Sequence, residues 1–179
     1  MPRQKRQYVA TFPAGAFNII VRVLKKFSLD EIKITAHDES AMVFESTLRP
    51  ERLIDFRFFT NIYLILDTKR LASYEPFIKG DSFRLIALIN GEPSPIEENK
   101  KRALASLIGR QLRISPNAIA GYSNDFVLIK RGDQGELLTL RLPRPRHKRQ
   151  KLPQGALRPE LAHILLLVAG VKPKDIVRY

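Results

Sequence analysis

The sequence predicts an α+β fold, and three observations carry that reading. Strand and helix periodicities alternate from Gln7 to Leu66 in the order β-α-β-β-α-β. After Asp67 the pattern restarts with its own strands, a long amphipathic helix and a hairpin. A strongly apolar helix at Pro159–Ala169 then follows a proline-rich basic segment.

The first unit reads element by element. Gln7–Phe12 is a short strand closed by Pro13-Ala14-Gly15. From Ala16 to Phe27, the apolar residues Phe17, Ile20, Val21, Leu24 and Phe27 recur at helical spacing, with Arg22, Lys25 and Lys26 mostly outside that stripe. Glu31–Ala36 alternates as a half-buried strand. His37-Asp38-Glu39-Ser40 is the connection to a strand at Ala41–Ser46. Pro50 suits the first position of a helix running to about Phe59, because its missing N–H costs nothing there. Asn61–Leu66 is a nearly continuous apolar run of strand length. This order is that of a ferredoxin-like split βαβ unit, in which two helices cover one face of a four-stranded antiparallel sheet.

Beyond Asp67, Leu71–Lys79 reads as a short helix interrupted near Pro76, and Ser82–Ile89 as a strand ended by Asn90-Gly91. Ser94-Pro95-Ile96-Glu97 has the form of a capping box, predicting a helix to about Leu112. Its apolar face is Leu104, Leu107, Ile108 and Leu112, and Arg102, Ser106, Arg110 and Arg113 line the other side. Strands near Ala118–Gly121, at Phe126–Arg131 and at Glu136–Leu142 follow, the last two joined as a hairpin through Gly132–Gly135.

Charge narrows the function. Thirty-one Lys and Arg stand against 18 Asp and Glu, a net of +13 in 179 residues. Residues 1–69 hold 11 basic and 8 acidic side chains, and residues 70–179 hold 20 and 10, so the excess lies mainly in the second half. An excess of this size attracts polyanions over roughly a Debye length, about 8–10 Å at ordinary salt. Nucleic acid is the expected partner. No acidic residue occurs between Glu136 and Glu160, where Arg141, Arg144, Arg146, Lys148, Arg149, Lys151 and Arg158 cluster. Pro143, Pro145 and Pro153 prevent a regular helix there, and guanidinium forks match phosphate oxygens. The expected RNA-binding residues are Arg144, Arg146, Lys148, Arg149 and Lys151, with Arg102, Arg110 and Arg113 as a second rank and Arg158 beside them.

Other chemistries find little support. The absence of cysteine excludes thiolate zinc sites, disulfides and thiol nucleophiles. His37, His147 and His163 lack metal-ligand spacing. Asp38 and Glu39 are adjacent carboxylates in a turn, a pattern usually just solvated. Tyr122, beside Asn124, is either a base-stacking platform or a loop anchor. No glycine-rich phosphate loop is present, and the longest apolar run is far short of the roughly 20 residues of a membrane span. A cytoplasmic location without membrane association is the expectation.

Three segments carry a family resemblance: Arg146-His-Lys-Arg149, Gly155-Ala-Leu-Arg-Pro-Glu-Leu-Ala162 and Ala169-Gly-Val-Lys-Pro-Lys-Asp175. Together they resemble the junction of THUMP-domain RNA methyltransferases, where a hairpin ends in a basic loop before a leu-arg-pro-x-leu-ala helix. The resemblance implies a ferredoxin-like domain at 1–69, a THUMP-type α/β domain at 70–145, and a linker with the start of a methyltransferase domain at 146–179. It further implies binding of structured RNA, expected to be the tRNA acceptor region. S-adenosylmethionine is implied only for a full-length methyltransferase, since neither the glycine-rich cofactor motif nor the Asn/Asp-Pro-Pro-Tyr/Phe motif occurs in this chain. Two alternatives stay open: a free-standing RNA-binding module, or a protein–protein adaptor for a separate modifying enzyme. In every case the apolar helix Pro159–Ala169 calls for a cover: a methyltransferase domain, a partner chain or a second copy.

Overall fold

The computed structural model describes residues 5–28, 31–117, 123–132, 135–143 and 157–170. The chain falls into two compact units, Met1–Ile62 with Leu142–Tyr179, and Tyr63–Arg141.

In the first unit, β1 (Arg6–Thr11), α1 (Phe17–Ser28), β2 (Ile32–His37), β3 (Ala41–Ser46), α2 (Pro50–Ile54) and β4 (Asn61–Ile65) follow one another. The chain passes into the second unit within β4. β3 pairs antiparallel with both β1 and β2, and the strand order is β2-β3-β1-β4. That is the order of a split βαβ unit: α1 carries the chain one strand beyond β1, β3 fills the gap between β1 and β2, and α2 returns the chain to the free side of β1. Aromatic rings pack on one another within the core. Tyr8 stacks on Phe44 at 5.4 Å, and both are fully buried. Ile20 and Leu24 bring the apolar stripe of α1 into the core while Arg22 and Lys25 remain exposed.

α2 is shorter than expected. The prediction ran to Phe59, but the helix ends at Ile54 and successive turns follow, with Phe56 and Phe59 amides donating to the carbonyls of Leu53 and Phe56. Ring packing explains the stop. Phe56 and Phe58 stack with centroids 5.4 Å apart, and Phe58 meets Phe59 at 4.6 Å. Residues two apart lie on opposite sides of a helix, so a continued helix would pull Phe56 and Phe58 apart.

The last described element, α4 (Pro159–Val168), belongs to the first unit and packs beside α1. Ile164 is buried, and His163 stacks over Phe58 at 6.3 Å. Sequence alone predicts a helix buried nearly all round, yet Leu165, Leu166 and Val168 are 53%, 38% and 61% exposed. Within the described residues, only one side of α4 has a cover.

After β4, the second unit continues with a 3-10 segment, Thr68–Phe77, in place of the short helix expected at 71–79; Asp67 caps it by accepting from the Lys69 amide at 2.9 Å. β5 (Ser82–Ile89), β6 (Glu92–Ser94), α3 (Glu98–Leu112), β7 (Ser115–Pro116), β8 (Asn124–Lys130) and β9 (Leu137–Arg141) complete it. The strand order here is β4-β9-β8-β5-β6, with β7 beside β5. β5 runs parallel to β8, while β8 and β9 form the expected antiparallel hairpin. Leu71, Phe83, Ile108, Leu112, Phe126 and Leu140 are buried.

Two local expectations need correction. Asn90-Gly91 does more than end a strand: both residues take positive φ, 51° and 92°, and turn the chain back into β6. A two-residue turn with both central φ positive matches the twist of a hairpin, and Asn-Gly suits it best. Ser94 is consequently in a strand, paired with Ala87, and does not cap a helix. α3 starts at Glu98 with Glu97 as its N-cap and no side-chain cap bond, so the capping box is not formed. The strand expected near 118–121 and the tip of the 132–135 turn lie outside the described residues.

Candidate nucleic-acid interface

α3 displays its cations as expected from its periodicity. Ile108 and Leu112 are buried, whereas Arg102, Ser106, Arg110 and Arg113 are exposed. Spacings of four, four and three residues keep these positions on one side of the helix, over a rise of about 16 Å. Arg102 pairs with Glu98 one turn earlier at 3.2 Å, with side chains 75% and 62% exposed. A pair that exposed contributes only about 0.3–0.5 kcal/mol and does not commit the guanidinium. Arg110 donates through Nε to the Ser106 carbonyl of its own helix. Lys100 pairs with Glu136.

Arg113 ends the helix in the left-handed region, φ 57° and ψ 40°. This site normally takes glycine, because a Cβ there crowds the backbone. Arg158 stands at the N-cap of α4, exposed, its carbonyl accepting from the Ala162 amide. Arg144, Arg146, Lys148, Arg149 and Lys151 lie outside the described residues. The α3 arginines belong to the second unit and Arg158 to the first.

Sequence reasoning missed a further cluster in the second unit. Arg84 of β5 donates to Asp125 of β8 through Nε at 3.0 Å and through a terminal nitrogen at 2.9 Å. Arg141 of β9 approaches the other Asp125 oxygen at 3.6 Å. The signal was present: an arginine inside the apolar run Ser82–Ile89, and an aspartate directly before the apolar run of β8. What was missing was the register that sets them opposite one another. Tyr63, opposite Arg141 in β4, is buried; burial holds its phenol above the ordinary tyrosine range, and the Arg141 cation pulls the other way.

Those of the remaining candidates that lie among the described residues take structural roles. Asp38 Oδ1 accepts from the amides of Ser40 and Ala41, both at 2.8 Å, and so closes the β2–β3 turn. His37 lies flat on Phe17 at 3.8 Å. Asn124 is a loop anchor, bonded to Lys79 and Ser82, while Tyr122 and His147 lie outside the described residues. Among the described residues, no three His, Asp or Glu side chains are grouped to hold a metal, and no helix is long and apolar enough to cross a membrane.

No protein-family model matches the chain, and no curated protein matches it in sequence. Solved structures match its fold. TrmN from Thermus thermophilus superposes with a TM-score of 0.62 at 17% identity, over 95% of this chain and 56% of that one. SMU.472 complexed with SAH matches with a TM-score of 0.58 at 14% identity, over 96% and 51%. A 4-thiouridine synthetase, solved as an RNA complex with bound ATP, matches with a TM-score of 0.53 at 12% identity, over 79% and 42%. At these identities the likeness is one of fold. The chain spans between 42% and 56% of the length of these structures.

Proposed function

We propose that this chain is the RNA-gripping part of a tRNA-modifying enzyme, a THUMP-type module that presents the acceptor region of tRNA to a methyltransferase domain. One observation carries the reading: an acid-free, arginine-rich run between Glu136 and Glu160 leads away from the last strand of a fold shared with a synthetase solved in complex with RNA. The SAH complex of SMU.472 supports methyl transfer as the chemistry of the remainder, since SAH is what S-adenosylmethionine becomes after donating its methyl group. This chain has no Gly-x-Gly-x-x-Gly run to seat that cofactor, so its own residues bind and orient.

Recognition is of phosphate and shape. The deep, narrow major groove of A-form RNA is closed to side chains, so folded RNA is held through its backbone and its ends. Arg144, Arg146, Lys148, Arg149 and Lys151 form the principal clamp, with Arg158 and the exposed stripe Arg102, Arg110 and Arg113 as auxiliary contacts. Neutralising about five phosphates makes log affinity fall with log salt at a slope of roughly −3.5 to −4.5. Titration of labelled tRNA at several salt concentrations tests this, alongside a variant with Arg146, Lys148 and Arg149 all changed to Ala. The variant is expected to bind all folded tRNAs more weakly. Undiminished affinity in it removes the clamp.

The exposed apolar side of α4 favours a second reading, a protein–protein adaptor docking through Leu165, Leu166 and Val168. Sedimentation mass separates the two: the adaptor reading expects self-association or a stable protein partner, and the RNA reading does not require either.

A further inference from the structure

α3 lies in a second acid-free stretch of the sequence. From Asn99 to Asn124 the chain holds Lys100, Lys101, Arg102, Arg110 and Arg113 and no Asp or Glu. The helix sets some of these charges in a pattern. Arg102, Ser106, Gly109 and Arg113 are spaced by four, three and four residues, so they fall in one line along the axis. Arg102, Ser106 and Arg113 are exposed and Gly109 is half-buried, while Ile108 and Leu112 turn the opposite side into the core. The line reads arginine, two small residues, arginine. Arg110 flanks it, with Nε bonded back to the Ser106 carbonyl at 3.4 Å.

Gly109 has a packing reason of its own: an added Cβ would come 3.1 Å from the Ile114 carbonyl oxygen, where the chain turns back after the helix. Ser106 is exposed, so packing does not set its size. Both leave the middle of the line low. Its two ends stand about 16 Å apart along the axis. That separation is well beyond the distance between neighbouring phosphates of one strand, so the arginines suit phosphates on two strands that border a groove. An α-helix with its side chains is about 10–12 Å across. The major groove of A-form RNA is too deep and narrow to receive it, whereas the minor groove is wide and shallow and displays the 2′-hydroxyls. A low centre lets the helix settle against those hydroxyls while the arginines reach the flanking phosphates. Ser106 adds a hydroxyl that both donates and accepts. At the N-terminal end, the pair with Glu98 leaves Arg102 largely exposed and open to phosphate.

We infer that α3 docks on the minor groove of an A-form RNA duplex, with Arg102 and Arg113 on phosphates of the two strands and Ser106, flanked by Arg110, against the 2′-hydroxyls. The inference rests on the RNA-binding reading above and deepens it. The clamp in the basic run supplies backbone affinity, and α3 selects a double-stranded stem over a single strand and RNA over DNA. Charge complementarity argues for a nucleic acid as the occupant. The low centre argues for a duplex groove, since a single strand gains nothing from it.

The test is fluorescence anisotropy of the whole chain with three labelled probes: a blunt-ended RNA duplex, the DNA duplex of the same sequence, and a single-stranded RNA without self-complementarity. The wild type is expected to bind the RNA duplex about tenfold or more tighter than either other probe. Ser106→Gln adds bulk at the centre with no change of charge. It is expected to weaken RNA-duplex binding by about fivefold and to leave single-strand binding within about twofold. Ser106→Ala stays small and should weaken duplex binding by no more than about twofold. Arg102→Gln with Arg113→Gln should lose about tenfold or more on the RNA duplex and make its salt slope shallower by about two, one for each phosphate contact. If circular dichroism shows that this double variant is unfolded, Arg102→Gln alone replaces it, with a slope change of about one. Equal affinity for the RNA and DNA duplexes overturns the inference, as does tighter binding of the single strand. A folded Ser106→Gln that binds the RNA duplex like the wild type, or an arginine variant with an unchanged salt slope, overturns it too. Binding of tRNA that is lost in the Arg146, Lys148 and Arg149 variant while the α3 variants hold the RNA duplex like the wild type sinks the groove contact alone. A wild type inert toward tRNA and all three probes brings down the functional reading as well.

Discussion

Asn124 and Lys79 hold one another through both groups of a side-chain amide. The Asn124 carbonyl oxygen accepts from the Lys79 backbone N–H at 2.9 Å, and its NH2 donates to the Lys79 carbonyl at 2.6 Å and to the Ser82 carbonyl at 2.9 Å. Asn124 is 5% exposed and opens β8, so the amide ties the approach to β5 onto the neighbouring strand. The two strands run in parallel and carry Arg84 and Asp125 directly after the tie.

Asn124→Ala is therefore expected to cost about 2–3 kcal/mol, because three hydrogen bonds go and the backbone N–H and C=O of Lys79 lose this partner, while the Ser82 carbonyl keeps the Ser123 amide. Asn124→Asp keeps the acceptor for the Lys79 amide but sets a charged oxygen against the Lys79 and Ser82 carbonyls in a buried site, and should cost at least as much as alanine. Urea denaturation of the three proteins gives the ranking, and an alanine variant as stable as wild type would remove the tie from the account.

Gly80 is the second half of the same device. Its φ is +61°, and an added Cβ would come within 3.0 Å of the Ser123 Cβ and closer still to the hydroxyl. Alanine there meets the left-handed backbone penalty of about 1 kcal/mol and a steric clash together. Gly80→Ala should lower the melting temperature more than Gly15→Ala, where φ is +80° but nothing lies within 4 Å. Pairing Gly80→Ala with Ser123→Gly should recover the steric part of the loss, leaving the backbone part.

Arg113 separates stability from binding. Arg113→Gly relieves the left-handed strain at the end of α3 and is expected to stabilise the fold by up to about 1 kcal/mol. The proposed auxiliary role expects tRNA affinity to drop at the same time. Opposite movements of melting temperature and affinity in one variant would mark a residue kept for its side chain against local backbone preference. Unchanged affinity would leave Arg113 without an RNA role.

His163 makes the packing of α4 sensitive to pH. Its pKa is held below the ordinary value of 6.5, first by burial against the first unit and then by the Arg57 cation. The neutral form is thus favoured in the folded protein, and the unfolded chain binds the proton more readily. Stability is full above about pH 6.5 and is lost as pH falls through that value toward the lowered folded pKa. Thermal melts between pH 5 and 7.5 should show this loss. His163→Phe, which keeps a ring over Phe58, should flatten the profile in that window. An equally steep profile in the variant would assign the effect to other groups.

The two helices at either end of the chain show how far local pattern reaches. α1 was legible because Phe17, Ile20, Val21 and Leu24 repeat at the helical period, and the buried Ile20 and Leu24 follow that stripe. α4 was legible as a helix for the same reason, but its degree of burial was not. Apolar composition states what a helix would gain from a cover, and only the neighbouring elements decide how much cover it receives. α2 marks the limit of propensity: nothing local stops it at Ile54, and the packing of Phe56, Phe58 and Phe59 does.

The candidate interface divides along the same line. Sequence by itself determined the net charge of +13, the acid-free run between Glu136 and Glu160, and the side of α3 on which Arg102, Arg110 and Arg113 stand. These depend on composition and on a period of 3.6 residues, both local quantities. Tertiary structure alone decided that Arg84, Asp125 and Arg141, separated by 41 and 16 positions, meet in one row. Strand pairing joins residues of any sequence separation, and a slip of one residue turns every side chain to the opposite face, so a contact of this kind exists only once the sheet has set its register.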